Sequence, residues 1–427
     1  MGVVKISHLK PDMVVRSDVK DRNGRLLVAA GTRLAANHIR IIKIWGIVEA
    51  DIDDALQTGE VHPPPDAIDP VIVKAAEEAL RGRFRYNDLE NSAVAELFHI
   101  GSLRTACRMK QNRPEDDPPP PPPIHLSPRK RGGGLENRRL ELRDMRLDHI
   151  RELIRKDIKL ITLPTVFMRI NETIMKPHSS SHEIADLISK DTGLSARLLK
   201  IVNSAFYGYP SQIDSLAQAV SIVGTNQLSM LALGIDVVAE FKDIPSRYMN
   251  MDLFWKHSIA CGIIARLIAT TRNIQNTERL FVAGMLHDIG RLVVYHYMPH
   301  DALDMLKEAR DTEAPLYRVE VEYLGGDHAE IGGLLLQIWK LPQSLENAVR
   351  YHHRPGESQN GLEPAIIHVA DVTAKALGIG SSGEYFVPPL DPAAWKQIGL
   401  SDNALDPIAA QAERQLDETF HLFFNEK

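Results

Sequence analysis

The stretch IADLISKDTGLSARLLKIVNSAFYG, residues 184–208, decides the fold. Ile184, Leu187, Ile188, Leu194, Leu198, Leu199 and Val202 recur at helical spacing, so most of it reads as core-facing helix. Asn203-Ser204 then interrupts the pattern, and a cap followed by a turn is the economical reading of that polar pair. The periodicity continues outward. Downstream, Ser215 to Leu233 is again helical, and hardly a convincing strand follows before the end of the chain. Upstream, it reaches back to Leu135 through Leu140, Leu142, Met145, Leu147, Ile150, Leu153 and Ile154. These positions hold no sustained heptad, so the stretch is read as packing on the neighbouring core and not as a coiled coil.

The first fifty residues have a different rhythm. Short apolar runs, Val3 to Ile6, Met13 to Val15 and Leu26 to Val28, alternate with turn chemistry, and Asn23-Gly24 between two of them predicts a hairpin. A helical stretch, Asn37 to Trp45, and a strand-like one, Ile47 to Ile52, complete a small α+β module. Two modest helices over 71–110 are read as its extension. Pro118 to Pro123, then Ser127-Pro128-Arg129-Lys130-Arg131 and Gly132 to Gly134, have no core to bury and read as a spacer with a basic hinge. The expected organisation is a β-rich module with helical extension at 1–112, a linker at 113–134, and a mainly α domain at 135–427.

The chain has 427 residues, 44% of them hydrophobic and 25% charged, the balance of a globular protein. Its net charge of −6 supplies no positive field for a nucleic-acid backbone. Two cysteines, Cys107 and Cys261, exclude a disulfide framework and a Cys-type zinc site, and fit a reducing cytoplasm. No apolar run reads as a leader or a membrane span; the most apolar one is broken by Gly234, Asp236 and Glu240. Gly132-Gly133-Gly134 lacks the Lys-Ser/Thr of a phosphate loop, so nucleotide triphosphate use has no support.

Seven residues in the helical half carry the chemistry: His257, His287, Asp288, His328, His352, His353 and Asp371. Singly each has a bland reading, and His257, between Phe254 and Cys261, reads as a core histidine. A second His-Asp pair, His300-Asp301, reads as a polar turn after Pro299. Context separates the two pairs. His287-Asp288 closes an apolar helix, Leu280 to Leu286, and precedes Ile289-Gly290-Arg291. Imidazole nitrogen there can bind one metal while the carboxylate, with two oxygens, bridges a pair. His328 opens an apolar helix, His352-His353 ends the next, and Asp371 lies inside Ile366 to Ala376. Five imidazoles and two carboxylates are too nitrogen-rich for calcium or magnesium.

Leu163-Pro164, the 184–208 stretch and the AVSIVG segment resemble the opening of an HDOD domain, an all-helical relative of the HD phosphohydrolases, with the resemblance running to about residue 350. The order His, His-Asp, His, His-His, Asp resembles the ligand order of the HD-GYP phosphodiesterases, and KISHLKPDMVV, DRNGRLLVAAGTRL and IKIWGI resemble the domain often found ahead of them. The resemblance implies a two-metal site, most simply iron or manganese, with Asp288 bridging and Arg291 near a bound phosphate group.

Three departures bear on activity. Arg354-Pro355-Gly356-Glu357 replaces the Gly-Tyr-Pro turn, Leu253 stands where a further carboxylate is expected, and Arg291 stands where a lysine is usual. The expectation is therefore a cytoplasmic signal-transduction regulator acting through other signalling proteins. The alternative is a metal-dependent phosphodiesterase for a cyclic dinucleotide or nucleotide-type substrate, with Asp288 and Arg291 as catalytic residues. Neither reading involves nucleic acid or a membrane.

Overall fold

The computed structural model describes residues 2–5, 9–10, 13–20, 26–35, 49–53, 68–111, 181–204, 212–241 and 249–424, with a few positions between these stretches. The described residues fall into two compact units. One comprises residues 1–80, 89–113 and 400–411, the other residues 81–88, 114–399 and 412–427. The expected linker at 113–134, the amphipathic stretch from 135 to 151 and the Leu163-Pro164 opening lie outside the described residues.

In the first unit, β1 (Gly2–Lys5), β2 (Val14–Val15) and β5 (Glu49–Asp53) form an antiparallel sheet in the order β1-β5-β2, with Val4 opposite Ala50 and Val15 opposite Ile52. β3 (Val19–Lys20) pairs antiparallel with β4 (Leu26–Val28), so a hairpin forms on either side of Asn23-Gly24, but the partner of Leu26–Val28 is the short Val19–Lys20 strand and not the expected Met13–Val15 run, which pairs with β5; the turn itself is outside the described residues. Val15, Val19, Val28, Leu34, Ile42 and Ile52 form the small core of this module. Two helices follow, α1 (Pro70–Arg81) and α2 (Ser92–Lys110), the second capped by Asn91 through the backbone N–H groups of Ala93 and Val94.

The second unit is helical throughout its described residues: α3 (Ser181–Ser189), α4 (Thr192–Val202), α5 (Leu216–Val223), α6 (Thr225–Glu240), α7 (Met251–Thr271), α8 (Thr277–Leu286), α9 (Ile289–Tyr297), α10 (Pro299–Asp311), α11 (Leu316–Leu324), α12 (His328–Ile338), α13 (Gln343–Arg350), α14 (Leu362–Ala376), α15 (Pro392–Ile398) and α16 (Leu405–Phe424), which begins in the first unit's last segment. In the quoted stretch, Ile184, Ile188, Leu194, Leu198 and Val202 are buried as the spacing predicts. Asn203 caps α4 and its side chain bonds both the Leu199 and Ile213 carbonyls, which is the cap-and-turn role expected of it. His300 and Asp301, by contrast, sit exposed in the first turn of α10. Pro299 opens a helix there, in place of the expected polar turn, because proline is well suited to the first helical position.

Residues 81–88, expected to extend the first module, belong to the second unit. Arg83 donates to the backbone oxygens of Lys375 and Tyr385, Asn87 donates to those of Val387 and Pro388, and the Tyr86 ring meets Phe386 edge-on.

α7 lies at the centre, packed against α8 and α14, while α9 crosses α12. It has the length and hydropathy of a membrane span, and most of it is buried among these helices. Glycine makes two of the crossings close. A Cβ on Gly284 would lie 2.7 Å from the Gly262 nitrogen, so these two residues let the backbones of α7 and α8 touch. At the α9–α12 crossing a Cβ on Gly290 would lie 2.0 Å from the His328 carbonyl oxygen. Backbone cannot yield as a flexible side chain can. Gly290→Ala should therefore destabilise by about 1–3 kcal/mol or more, whereas Gly82→Ala, with nothing within 4 Å of the new carbon, should stay within about 0.5 kcal/mol. Chemical denaturation of both variants checks this, and equal midpoints would contradict the close crossing.

Candidate metal centre

All seven expected ligands converge in the second unit. α7 supplies His257, the C-cap of α8 supplies His287, the junction of α8 and α9 supplies Asp288, and α12 opens with His328. His352 and His353 follow α13, and α14 supplies Asp371. His257, His287, His328 and His352 are 0% exposed, Asp288 is 2% and Asp371 is 4% exposed; only His353 is partly open, stacked on Tyr317.

The rings are aimed. His287 Nδ1 and His352 Nδ1 each lie 2.7 Å from a backbone oxygen, of Gly284 and Val349, and a carbonyl only accepts. Both Nδ1 atoms therefore carry the hydrogen, and each Nε2 is turned inward with no hydrogen-bond partner. His328 Nδ1 donates to Glu320 Oε2 at 2.5 Å, leaving its Nε2 2.9 Å from Asp288 Oδ1 and 3.1 Å from His353 Nε2. On the other side, Asp288 Oδ2 lies 3.2 Å from His287 Nε2 and 3.7 Å from His257 Nε2. Asp288 thus presents one oxygen to each half of the cluster. Asp371 Oδ1 is 3.1 Å from His257 Nε2 and 3.6 Å from His287 Nε2, yet it has no partner of hydrogen-bond geometry. Close approach without alignment is what lone pairs directed at a shared point produce. Buried unpartnered donors and acceptors are costly, so the cluster fits a divalent metal.

Arg291, expected beside a bound phosphate, is 2% exposed and engaged. Its Nε donates to Glu320 Oε1 at 3.1 Å, and its Nη1 donates to Ser382 Oγ at 2.7 Å and lies 3.6 Å from Asp288 Oδ2. Burial works against charge on Asp288, but Arg291, His287 and His328 hold its carboxyl well below the usual range. Burial likewise disfavours charge on His287 and His328, yet the carboxylates around them win and raise these rings to about 10 and about 9. Burial, then Lys375, pushes His257 down to about 4. Burial pushes His352 and His353 well below their usual value, helped by their histidine neighbours.

Several participants were missed in the sequence. Glu320 orients His328, and its signal was a carboxylate on the buried stripe Leu316, Val319, Glu320, Leu324. His368 Nδ1 donates to the His352 carbonyl at 2.9 Å, while its Nε2 accepts from the Asp391 N–H. Lys375, one turn beyond Asp371, is buried and donates to the Glu384 carbonyl. Cys261 lies one turn beyond His257 with Sγ 3.6 Å from its Nε2.

Metal and protons compete here. With its rings raised to about 10 and about 9, the stripped protein gains stability from protonated His287 and His328. That contribution is complete below about pH 6.5, the unperturbed histidine value, and is lost as pH rises through 9 to 10. Metal uptake at neutral pH must displace these protons, so affinity should rise with pH and loading should acidify a weakly buffered solution. Loading without proton release would contradict the arrangement. Asp288→Ala should abolish metal retention, and the exposed control Asp301→Ala should not; elemental analysis reads both.

Comparison with known proteins agrees with this architecture. The HDOD domain model matches residues 160–355, which include six of the seven cluster residues, Asp371 lying beyond it. An uncharacterized protein of Treponema pallidum (strain Nichols) is 28% identical over 211 residues, 49% of this chain and 40% of that protein, so the chain spans well under half of that relative's length. Among solved structures, an HDOD domain protein of unknown function from Geobacter sulfurreducens is similar at TM-score 0.54 and 25% identity, covering 66% of this chain and 97% of the other. A candidate signal transduction protein from Marinobacter aquaeolei VT8 shares the fold at TM-score 0.50 and 19% identity, covering 69% and 68%. The chain therefore carries an HDOD domain over residues 160–355, in a mainly helical protein that also holds a small α+β module at its start.

Proposed function

We propose that this chain is a signal-transduction regulator of the reducing cytoplasm, whose HDOD domain acts through partner proteins around a largely buried two-ion centre of iron or manganese. The burial of the centre carries the reading. Six of seven ligand candidates are at most 4% exposed and only His353 is partly open, which leaves a substrate little approach to them among the described residues. His257, His287 and Asp371 would hold one ion, His328, His352 and His353 the other, with Asp288 between them. Bound ions of this kind neutralise charge on a phosphoryl group and acidify water, and they also stabilise whichever state presents their ligands. Arg291 and Glu320 act as positioning residues, keeping Asp288 ionised and His328 aimed. The spacer at 113–134 would separate the module from the helical domain, offering the first site for a protease. Because residues 81–88 bond to 375–388, the nicked pieces should stay together.

A second reading, hydrolysis of a phosphodiester such as a cyclic dinucleotide, draws support from the disposition of Asp288, one oxygen toward each half. Against it stands the place of the missing Gly-Tyr-Pro turn. A 3-10 turn, Pro355–Glu357, occupies it, with Pro355 buried and Arg354 bonded to Asp327.

The test uses the metal-loaded full chain. It should not turn over a cyclic dinucleotide or a generic phosphodiester, and its capture of signalling proteins should weaken when the metal is stripped. Turnover that Asp288→Ala abolishes would establish hydrolysis instead.

A further inference from the structure

A cysteine stands inside the cluster where the resemblance implies only histidine and carboxylate. His257 and Cys261 lie one turn apart on α7 and face the same side. Cys261 is 0% exposed, and its Sγ lies with His257, His287 and Asp371 in a group whose four ligand atoms are all within 4.8 Å of one another. Two of those atoms, His287 Nε2 and Asp371 Oδ1, are buried and without hydrogen-bond partners. They make the group more than a lone thiol in a core.

The spacings fit a single ion. An ion with bonds of about 2.0–2.3 Å to nitrogen, oxygen and sulfur sets neighbouring ligand atoms roughly 3–3.6 Å apart. Here Cys261 Sγ to His257 Nε2 is 3.6 Å, His257 Nε2 to Asp371 Oδ1 is 3.1 Å, and His287 Nε2 to Asp371 Oδ1 is 3.6 Å. Among the described residues the other half of the cluster, His328, His352 and His353, gathers without sulfur. The two halves therefore differ in softness.

We infer that Cys261 is a thiolate ligand, joining His257, His287, Asp371 and the shared Asp288 around a borderline-soft divalent ion, ferrous iron or zinc. On binding, the Sγ–H proton leaves to solvent as the sulfur–metal bond forms, so the site holds one more negative charge than a histidine and carboxylate set alone. Thiolate favours iron and zinc over manganese and magnesium. This half of the centre then becomes sensitive to oxidation, because loss of the thiolate removes a ligand. The inference rests on the reading of the cluster as a metal centre and changes the choice of ion in this half, admitting zinc beside iron and disfavouring manganese.

Cobalt(II) tests it in the full chain, stripped and reloaded. Wild type and Cys107→Ser should both show a near-ultraviolet sulfur-to-cobalt charge-transfer band. Since the chain has only two cysteines, the Cys107→Ser protein reports on Cys261 alone, whatever becomes of a variant at 261. Cys261→Ser should still bind cobalt through the remaining ligands but lose the band. Bound cobalt without the band in Cys107→Ser, or a band that survives in Cys261→Ser, would overturn the thiolate assignment while leaving the metal centre standing. A wild type that binds no cobalt would overturn both.

Discussion

Asp288 and Asp371 are carboxylates in the middle of a helical core, and the surrounding structure is organised around neutralising them. An isolated buried charge costs several kcal/mol even after relaxation, so a stable fold must bring positive charge or a metal to each. Around Asp288 stand Arg291, His287 and His328; around Asp371 stand His257 and His287, with Lys375 one turn along the same helix. These groups come from four separate stretches of the chain, at 257, 287–291, 328 and 371–375. Helices can deliver such short side chains to one point only if their axes lie close, hence the glycines where α7 meets α8 and α9 crosses α12. Packing and chemistry are thus one constraint.

The same arrangement explains the secondary partners. A histidine presents Nε2 to a metal reliably only when Nδ1 is held, and the holders are carbonyls one turn back for His287 and His352 and a carboxylate for His328. Glu320 must be ionised to do this; burial opposes that, but His328 and Arg291 prevail and hold it at about 2. Arg291 answers Glu320 and Asp288 together, which is why its guanidinium is committed inside the protein and not held out to a ligand. Ser382 and Tyr295 close the network, the serine accepting from Arg291 and the tyrosine donating to the Ser382 carbonyl.

Much of this was legible in the sequence. Helical periodicity identified the helical half, and turn chemistry identified the strands of the first module other than β3, because both depend on neighbours in the chain. The seven ligand candidates were legible because each stands at a helix end or breaks an apolar face, and their order carried a resemblance. What was not legible depends on residues far apart. Cys261 reads as an ordinary small apolar residue until α8 and α14 are placed beside it. Lys375 and Glu320 look like surface charges until their helices are packed. The engagement of Arg291 follows from Ser382 and Glu320 meeting it in space. The membership of residues 81–88 in the second unit likewise rests on Arg83 and Asn87 finding backbone oxygens some three hundred residues away. None of these pairings has a local signature.

The proposed centre requires that the seven side chains surround metal and not merely one another. Anomalous diffraction from crystals of the protein as purified tests it most directly, with data on either side of the iron, manganese and zinc absorption edges. The account predicts anomalous density between Asp288, Asp371 and the Nε2 atoms of His257 and His287, and a second feature beside His328, His352 and His353. Density without anomalous signal, with the histidine rings hydrogen-bonded directly to the two carboxylates, would contradict it.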